Sequence, residues 1–142
     1  MSELSHRIRV FVYRYQAAEP TYLLLRSARG GIESLWTPLH GPLGFGEKLE
    51  SAIRREVMDD TGLGRPMELI DLEMPSRWLL GDEEVIEWNF GFRAQPPSED
   101  PHLDEQRWVD FRWTPFQEAY PSLELDNDRA ALMRLHTMLH AA

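Results

Sequence analysis

Apolar and polar residues alternate along this chain with two periods, and the switches between them outline its elements. Ile8–Tyr15 (IRVFVYRY) is rich in β-branched and aromatic residues and reads as a strand. Tyr22–Ser27 reads as a second, with Glu19-Pro20 as the expected turn between them. Ala28–Ser34 holds Gly30-Gly31 and reads as a loop. Trp36–Leu39 is short and extended, broken by Pro38, and leads into a glycine-rich turn at Gly41, Gly44 and Gly46. From Lys48 the period lengthens: Leu49, Ala52, Ile53 and Val57 recur at helical spacing, and Gly62 is placed to end that helix.

Further on, Met67–Glu73 reads as a strand and Arg77–Glu84 as a polar loop. Val85–Phe92 alternates, with Ile86, Trp88, Phe90 and Phe92 on one face and Glu87 and Asn89 on the other. Gln95–Asp104 is a loop by composition, Gln106–Arg112 a strand and Pro115–Ala119 a short helix. Asp126–His140 reads as a long terminal helix with Asp126 as its N-cap. Strands, a helix, more strands and a final helix imply an α/β fold, an α/β/α sandwich with a mixed β-sheet between helices.

Length and composition narrow the picture. The 142 residues suit one domain spanning 1–142, and 42% hydrophobic with 27% charged residues is ordinary for a soluble globule. No cysteine is present, which excludes disulfides, zinc–thiolate sites and thiol nucleophiles. The start, MSELSHRIRV, lacks the basic and apolar regions of a secretory signal, and no apolar run reaches membrane-spanning length. A cytoplasmic enzyme or binding domain, with no membrane partner, is expected. A net charge of −9 argues against binding duplex nucleic acid, which needs a basic stripe. It admits a small phosphorylated substrate that arrives with a divalent cation.

One stretch departs from ordinary patterning. On the helix after Lys48, Glu56 projects into the apolar stripe, Asp60 lies one turn later beside it, and Asp59 flanks the same face. Like charges at i and i+4 repel, and acidic residues in the last turn oppose the helix dipole. A charged solvent face would explain acidic residues, but not Glu56 among apolar ones. A bound hard cation removes all of these penalties together.

Gly41–Leu63 as a whole resembles the Nudix hydrolases. That family carries Gly, five residues, Glu, seven residues, Arg-Glu-apolar-any-Glu-Glu-any-Gly-apolar. Here the pattern falls on Gly41, Glu47, Arg55, Glu56, Val57, Asp59, Asp60, Gly62 and Leu63. At roughly 6% usage each, the five strict matches arise by chance on the order of once per million registers. Aspartate replaces glutamate at positions 59 and 60. The layout around the box is similar to the dihydroneopterin triphosphate pyrophosphatase subgroup.

The resemblance implies Mg²⁺-dependent hydrolysis of a pyrophosphate bond in a nucleoside triphosphate or another nucleoside diphosphate-linked compound, with Mn²⁺ as the alternative ion. It also implies roles. The Gly41 carbonyl and the carboxylates of Glu56, Asp59 and Asp60 would hold metal. Arg55 would orient Glu56, and Glu47 would brace Arg55 or an outer metal. Glu105, just before a strand, would supply a further carboxylate outside the box, with Glu87 as a second option. Arg26 at a strand end, Trp36 before the box and His40 directly preceding Gly41 are the candidates for substrate contact. Phe45, Trp78 and Trp88 could also stack on a ring. The pair His136/His140 lacks an intervening Glu and reads as helix surface. Because aspartate is one methylene shorter than glutamate, a catalytically weakened nucleotide-binding or regulatory domain is the rival expectation. Phe11, Tyr13 and Trp113 could cover a homodimer face or a core.

Overall fold

A computed structural model of the chain describes residues 3–28, 35–96 and 100–141. Strands β1 (Glu3–Gln16), β2 (Glu19–Ser27), β3 (Trp36–Thr37) and β4 (Leu39–Pro42) precede helix α1 (Leu49–Thr61). Then come β5 (Glu68–Leu80), β6 (Glu83–Arg93), β7 (Trp108–Pro115), α2 (Phe116–Ser122) and α3 (Asp126–His140). Among the described residues the strands form one seven-stranded sheet along the path β3-β2-β1-β6-β5, with β4 on β1 and β7 on β2. β1 and β6 run parallel through its centre, and the other pairings are antiparallel. The sheet is mixed, as expected.

Alternation along β1 and β2 builds a core on each face. Ile8, Val10, Val12, Leu23 and Leu25 pack with Ala52, Ile53 and Val57 of α1. The intervening Phe11, Tyr13, Tyr22 and Leu24 pack with Ala119 of α2 and Ala131, Leu132 and Leu135 of α3. Phe11 and Tyr13 are therefore core, and Trp113 packs on the α1 side. Phe11 and Tyr13 are closed to a dimer face, whereas Trp113 is half-buried.

The pairing registers open the place where the site lies. β1 pairs with β2 only over Tyr13–Gln16, and β4 takes the same edge of β1 over Arg7–Val10. β2, for its part, pairs with β3 at Leu25 and Arg26. The segment from Trp36 to Pro42 is thus wedged between two strands that splay apart. That wedge carries Gly41.

Several sequence expectations need correction. Glu19-Pro20 is not the first turn: Glu19 pairs with Gln16 and Pro20 with Tyr15, so the loop is Ala17-Ala18. Both alanines have positive φ, 52° and 69°. A two-residue hairpin loop demands that twist even from residues that resist it. Replacing Ala17-Ala18 with Asn-Gly is expected to stabilise the fold by about 1–2 kcal/mol. Thermal melting checks this, with an expected rise of roughly 3–6 °C; an unchanged or lower Tm contradicts it.

Arg77–Glu84 is not a loop. β5 and β6 continue as a hairpin to a turn at Gly81, since the strand pairing outweighs the polar composition there. The polar face of β6, bearing Glu87 and Asn89, is covered. Both are buried, Glu87 near Arg9 and Asn89 donating to the Met74 carbonyl oxygen at 2.6 Å. Asp126 is the first helical residue of α3 and not its cap. Leu125 holds the cap position, and Asp126 lies 3.8 Å from Arg129. His136 is not plain surface: it stacks on Phe116 at 4.0 Å and shares a 2.7 Å hydrogen bond with the Tyr22 hydroxyl. Of the loop Ala28–Ser34, residues 29–34 lie outside the described residues, as do 97–99 of Gln95–Asp104.

Candidate functional site

Helix α1 brings the acidic residues to the sheet. Its C-terminus closes on Gly62 in the left-handed region, φ 72°, whose N–H donates to the Met58 carbonyl at 2.8 Å. The last carbonyls are not left to water. His102 N–H donates to the Thr61 carbonyl at 2.8 Å, and Asp104 N–H to the Asp60 carbonyl at 3.0 Å. The chain then turns, with Arg107 and Trp108 N–H both donating to the Asp104 carbonyl. In this way the helix end fixes the segment that enters β7.

Glu56 and Asp60 are buried on the sheet-facing side of α1, and Asp59 is exposed. Glu56 lies directly over Gly41. A Cβ at position 41 would come within 2.4 Å of the Glu56 carboxyl carbon and 2.5 Å of both its oxygens. Gly41 thus contributes the space in which the carboxylate rests.

Two guanidinium groups bracket that carboxylate. Arg55 donates from Nη1 to Glu56 Oε1 at 2.8 Å, and from Nε and Nη2 to Glu47, both at 2.9 Å. Glu47 also accepts from Gly44 N–H at 2.9 Å. The Arg55 hydrogen bonds, followed by the Gly44 one, hold its carboxyl down at about 2. On the other side, Arg107 donates from Nη1 to Glu56 Oε2 at 3.1 Å and to Asp60 Oδ2 at 2.8 Å. Its Nη2 donates to the His40 carbonyl oxygen at 2.9 Å. Burial pushes the Asp60 carboxyl up, against the pull of Arg107.

Two carboxylates and one carbonyl therefore converge on a single cationic group. The carbonyl is that of His40, one residue ahead of Gly41. Among the described residues, no three acidic or histidine side chains come together at metal-binding distances. Asp59 and Glu105 are both exposed.

A cavity of about 640 Å³ opens beside this cluster, lined by Arg7, Arg9, Thr37, His40, Arg107 and Trp108 among others. Its size suits a small ligand. Arg9 is buried and held in a bidentate pair with Asp128, at 2.6 and 2.7 Å. Arg7 lies 3.4 Å from His40 Nδ1. Burial, and then the charges of Arg9, Arg7 and Arg107, bring the His40 ring down to about 3, so it is neutral near pH 7. Three arginines thus border the cavity, each paired with buried carboxylates behind it.

Of the other candidates, His40 lines this cavity, whereas Arg26 and Trp36 do not. Arg26 lies over the Trp36 ring at 5.4 Å and 3.7 Å from Asp110, and Arg112 covers the same ring at 4.4 Å. Phe45 is exposed, Trp78 and Trp88 are half-buried, and Trp88 donates to His6 Nδ1 at 3.2 Å. Glu87 is committed to Arg9 and Arg7. Sequence reasoning missed Arg107. It is one basic residue at the start of a strand, and its partners lie 47 to 67 positions away.

Comparison with solved structures supports the fold. A Listeria monocytogenes NUDIX hydrolase structure superposes with a TM-score of 0.80 at 17% identity, covering 94% of this chain and 93% of that one. The NUDIX domain of Shewanella oneidensis NrtR, complexed with ADP ribose, gives 0.74 at 15% identity, covering 98% and 89%. The Escherichia coli dihydroneopterin triphosphate pyrophosphohydrolase gives 0.73 at 17% identity, covering 94% and 95%. No curated protein matches the chain by sequence. The family model described as NUDIX domain matches residues 5–135, far beyond the box, and the chain belongs to that family.

Proposed function

We propose that this protein is a divalent-metal-dependent pyrophosphohydrolase acting on a nucleoside triphosphate or a related compound such as dihydroneopterin triphosphate. The observation that carries the reading is the convergence of Glu56, Asp60 and the His40 carbonyl on one guanidinium group, that of Arg107, at the wall of an arginine-lined cavity. Three oxygen donors of this kind fit Mg²⁺, which is commonly held by one or two carboxylates plus substrate phosphates and keeps several waters. Glu56 and Asp60 are the residues that would hold it, with Asp59 and the Gly41 carbonyl nearby in the chain and Glu47 as an outer brace. Bound there, the ion would neutralise phosphoryl charge and make water a better nucleophile.

The remaining work falls to side chains. Arg55, fixed by Glu47, keeps the Glu56 carboxylate in one orientation. Arg7 and Arg107 face the cavity and suit phosphate oxygens, while neutral His40 adds a polar contact without a charge. Glu105, exposed and adjacent in the chain to cavity residues Gln106 and Arg107, is assigned to take the proton of the attacking water. Attack on one phosphorus breaks the bond to its bridging oxygen, so a triphosphate is split into a monophosphate and pyrophosphate. Arg26 and Trp36 form a neighbouring patch suited to the far end of a substrate.

The NrtR domain's complex with ADP ribose supports a nucleotide ligand. A rival reading, a nucleotide-binding regulatory domain, draws on the exposure of Asp59, which leaves two carboxylates in the cluster. The test is release of pyrophosphate or phosphate from nucleoside triphosphates and dihydroneopterin triphosphate, and of AMP and ribose 5-phosphate from ADP-ribose, in Mg²⁺ or Mn²⁺ against EDTA. Turnover that EDTA abolishes is expected for at least one compound. Saturable binding without release would favour the regulatory reading, and neither would refute both.

A further inference from the structure

The cation that completes the acidic cluster belongs to the protein itself. Arg107 touches Glu56, Asp60 and the His40 carbonyl together. These are the oxygens proposed to hold the metal, and the role inferred for Arg107 depends on that proposal. Its backbone is fixed, donating to the Asp104 carbonyl at 3.0 Å and accepting from Ala28 N–H at 2.8 Å. The side chain is the part able to move. It is about one-third exposed and borders the cavity that Arg7 and Arg9 also line.

We infer that Arg107 is a built-in counter-ion seated in the metal site, which a divalent cation must displace before it binds. Occupancy is exclusive for two reasons. A magnesium ion sits about 2.1 Å from each oxygen it binds, which leaves no room for a guanidinium nitrogen on the same lone pairs. The two positive charges also repel at that range. The guanidinium fills the seat with one charge and the metal fills it with two. Metal-free protein therefore keeps Glu56 and Asp60 paired, which removes the cost of burying bare carboxylates.

Displacement has a second consequence. Once expelled, the Arg107 guanidinium turns to the anion in the adjacent cavity, so metal and phosphate each favour the other's arrival. Linkage makes that coupling reciprocal. The cost of expulsion appears as weakened metal affinity in the absence of an anion, because only the unplugged fraction is competent. A permanent structural ion pair would show the same distances but would not compete with metal.

Mn²⁺ titration by calorimetry without nucleotide, on the wild type, Arg107→Gln, Arg107→Lys and Glu56→Gln, separates these cases. Arg107→Gln is expected to bind Mn²⁺ roughly tenfold to a hundredfold more tightly than wild type. It is also expected to melt below wild type in EDTA and to recover in saturating Mn²⁺. Arg107→Lys, which cannot span all three oxygens, is expected between the two and decides the matter should the glutamine variant not fold. If the arginine variants bind Mn²⁺ no more tightly than wild type while Glu56→Gln loses it, the plug is overturned and the metal seat stands. If wild type and Glu56→Gln bind Mn²⁺ equally, the seat falls, and the plug with it.

Discussion

Glu56→Gln is expected to lower metal-dependent hydrolysis by roughly two to three orders of magnitude. The substitution keeps shape and volume and removes one charge, at a carboxylate 4% exposed and bracketed by Arg55 and Arg107. With that charge gone, a divalent ion would lose a ligand proposed for it, and two guanidinium groups would face a neutral amide. Gln keeps one acceptor oxygen, which serves Arg55 or Arg107 but not both, so some stability is lost, and the rate loss is expected to exceed it. The check is a pair of measurements on both proteins: steady-state phosphate release, and melting with and without Mg²⁺. The wild type should gain Tm on adding the ion and the variant should not. Equal hydrolysis by the two proteins in Mg²⁺ would refute the role given to Glu56.

Gly41→Ala is expected to disable the same centre without touching a charge. Its methyl group would lie 2.4 to 2.5 Å from the Glu56 carboxyl group, far inside contact distance. Glu56 cannot simply step aside, because Arg55 and Arg107 hold it and the core packs around it. Either β4 moves off β1 or the carboxylate leaves its position. A rate loss of about a hundredfold is expected, with destabilisation of roughly 1–3 kcal/mol from overpacking. Gly64→Ala is the control, since a Cβ there meets nothing within 4 Å. Comparing rate and Tm across the two alanine variants isolates the close approach from any general cost of replacing glycine. Full activity in Gly41→Ala would show that Glu56 need not occupy the place it holds over β4.

How much is legible in the sequence varies with the range of the interactions. α1 can be read nearly to the residue, because its apolar spacing and its Gly62 terminus are local features. The two-period alternation likewise foretells which side chains of β1 and β2 enter which core. The end of the β5–β6 hairpin reads as a loop because its polar residues sit on a strand pair that tolerates them. The first turn is displaced by two residues, since Pro20 signals a turn more strongly than the two alanines that form it.

The box itself is legible as a motif, because its residues lie within 23 positions and resemble the family pattern position by position. So is the Arg55–Glu47 brace, implied by the resemblance and formed here through two hydrogen bonds. Arg107, the splay between β1 and β2 and the burial of Glu87 beneath Arg9 are not.

By itself, then, the order of residues determined the family, the mixed sheet between helices and the acidic helix that faces it. The sheet and the helix rest on periodicity and the family on a resemblance in motif, and all of these are read over short spans of chain. Only the tertiary structure decided which oxygens meet, that Asp59 stays in solvent while Asp60 does not, and that an arginine 47 positions away stands between Asp60 and Glu56. Those outcomes depend on how strands separated in sequence come to lie edge to edge, and side-chain charges reach one another only after that pairing has been made.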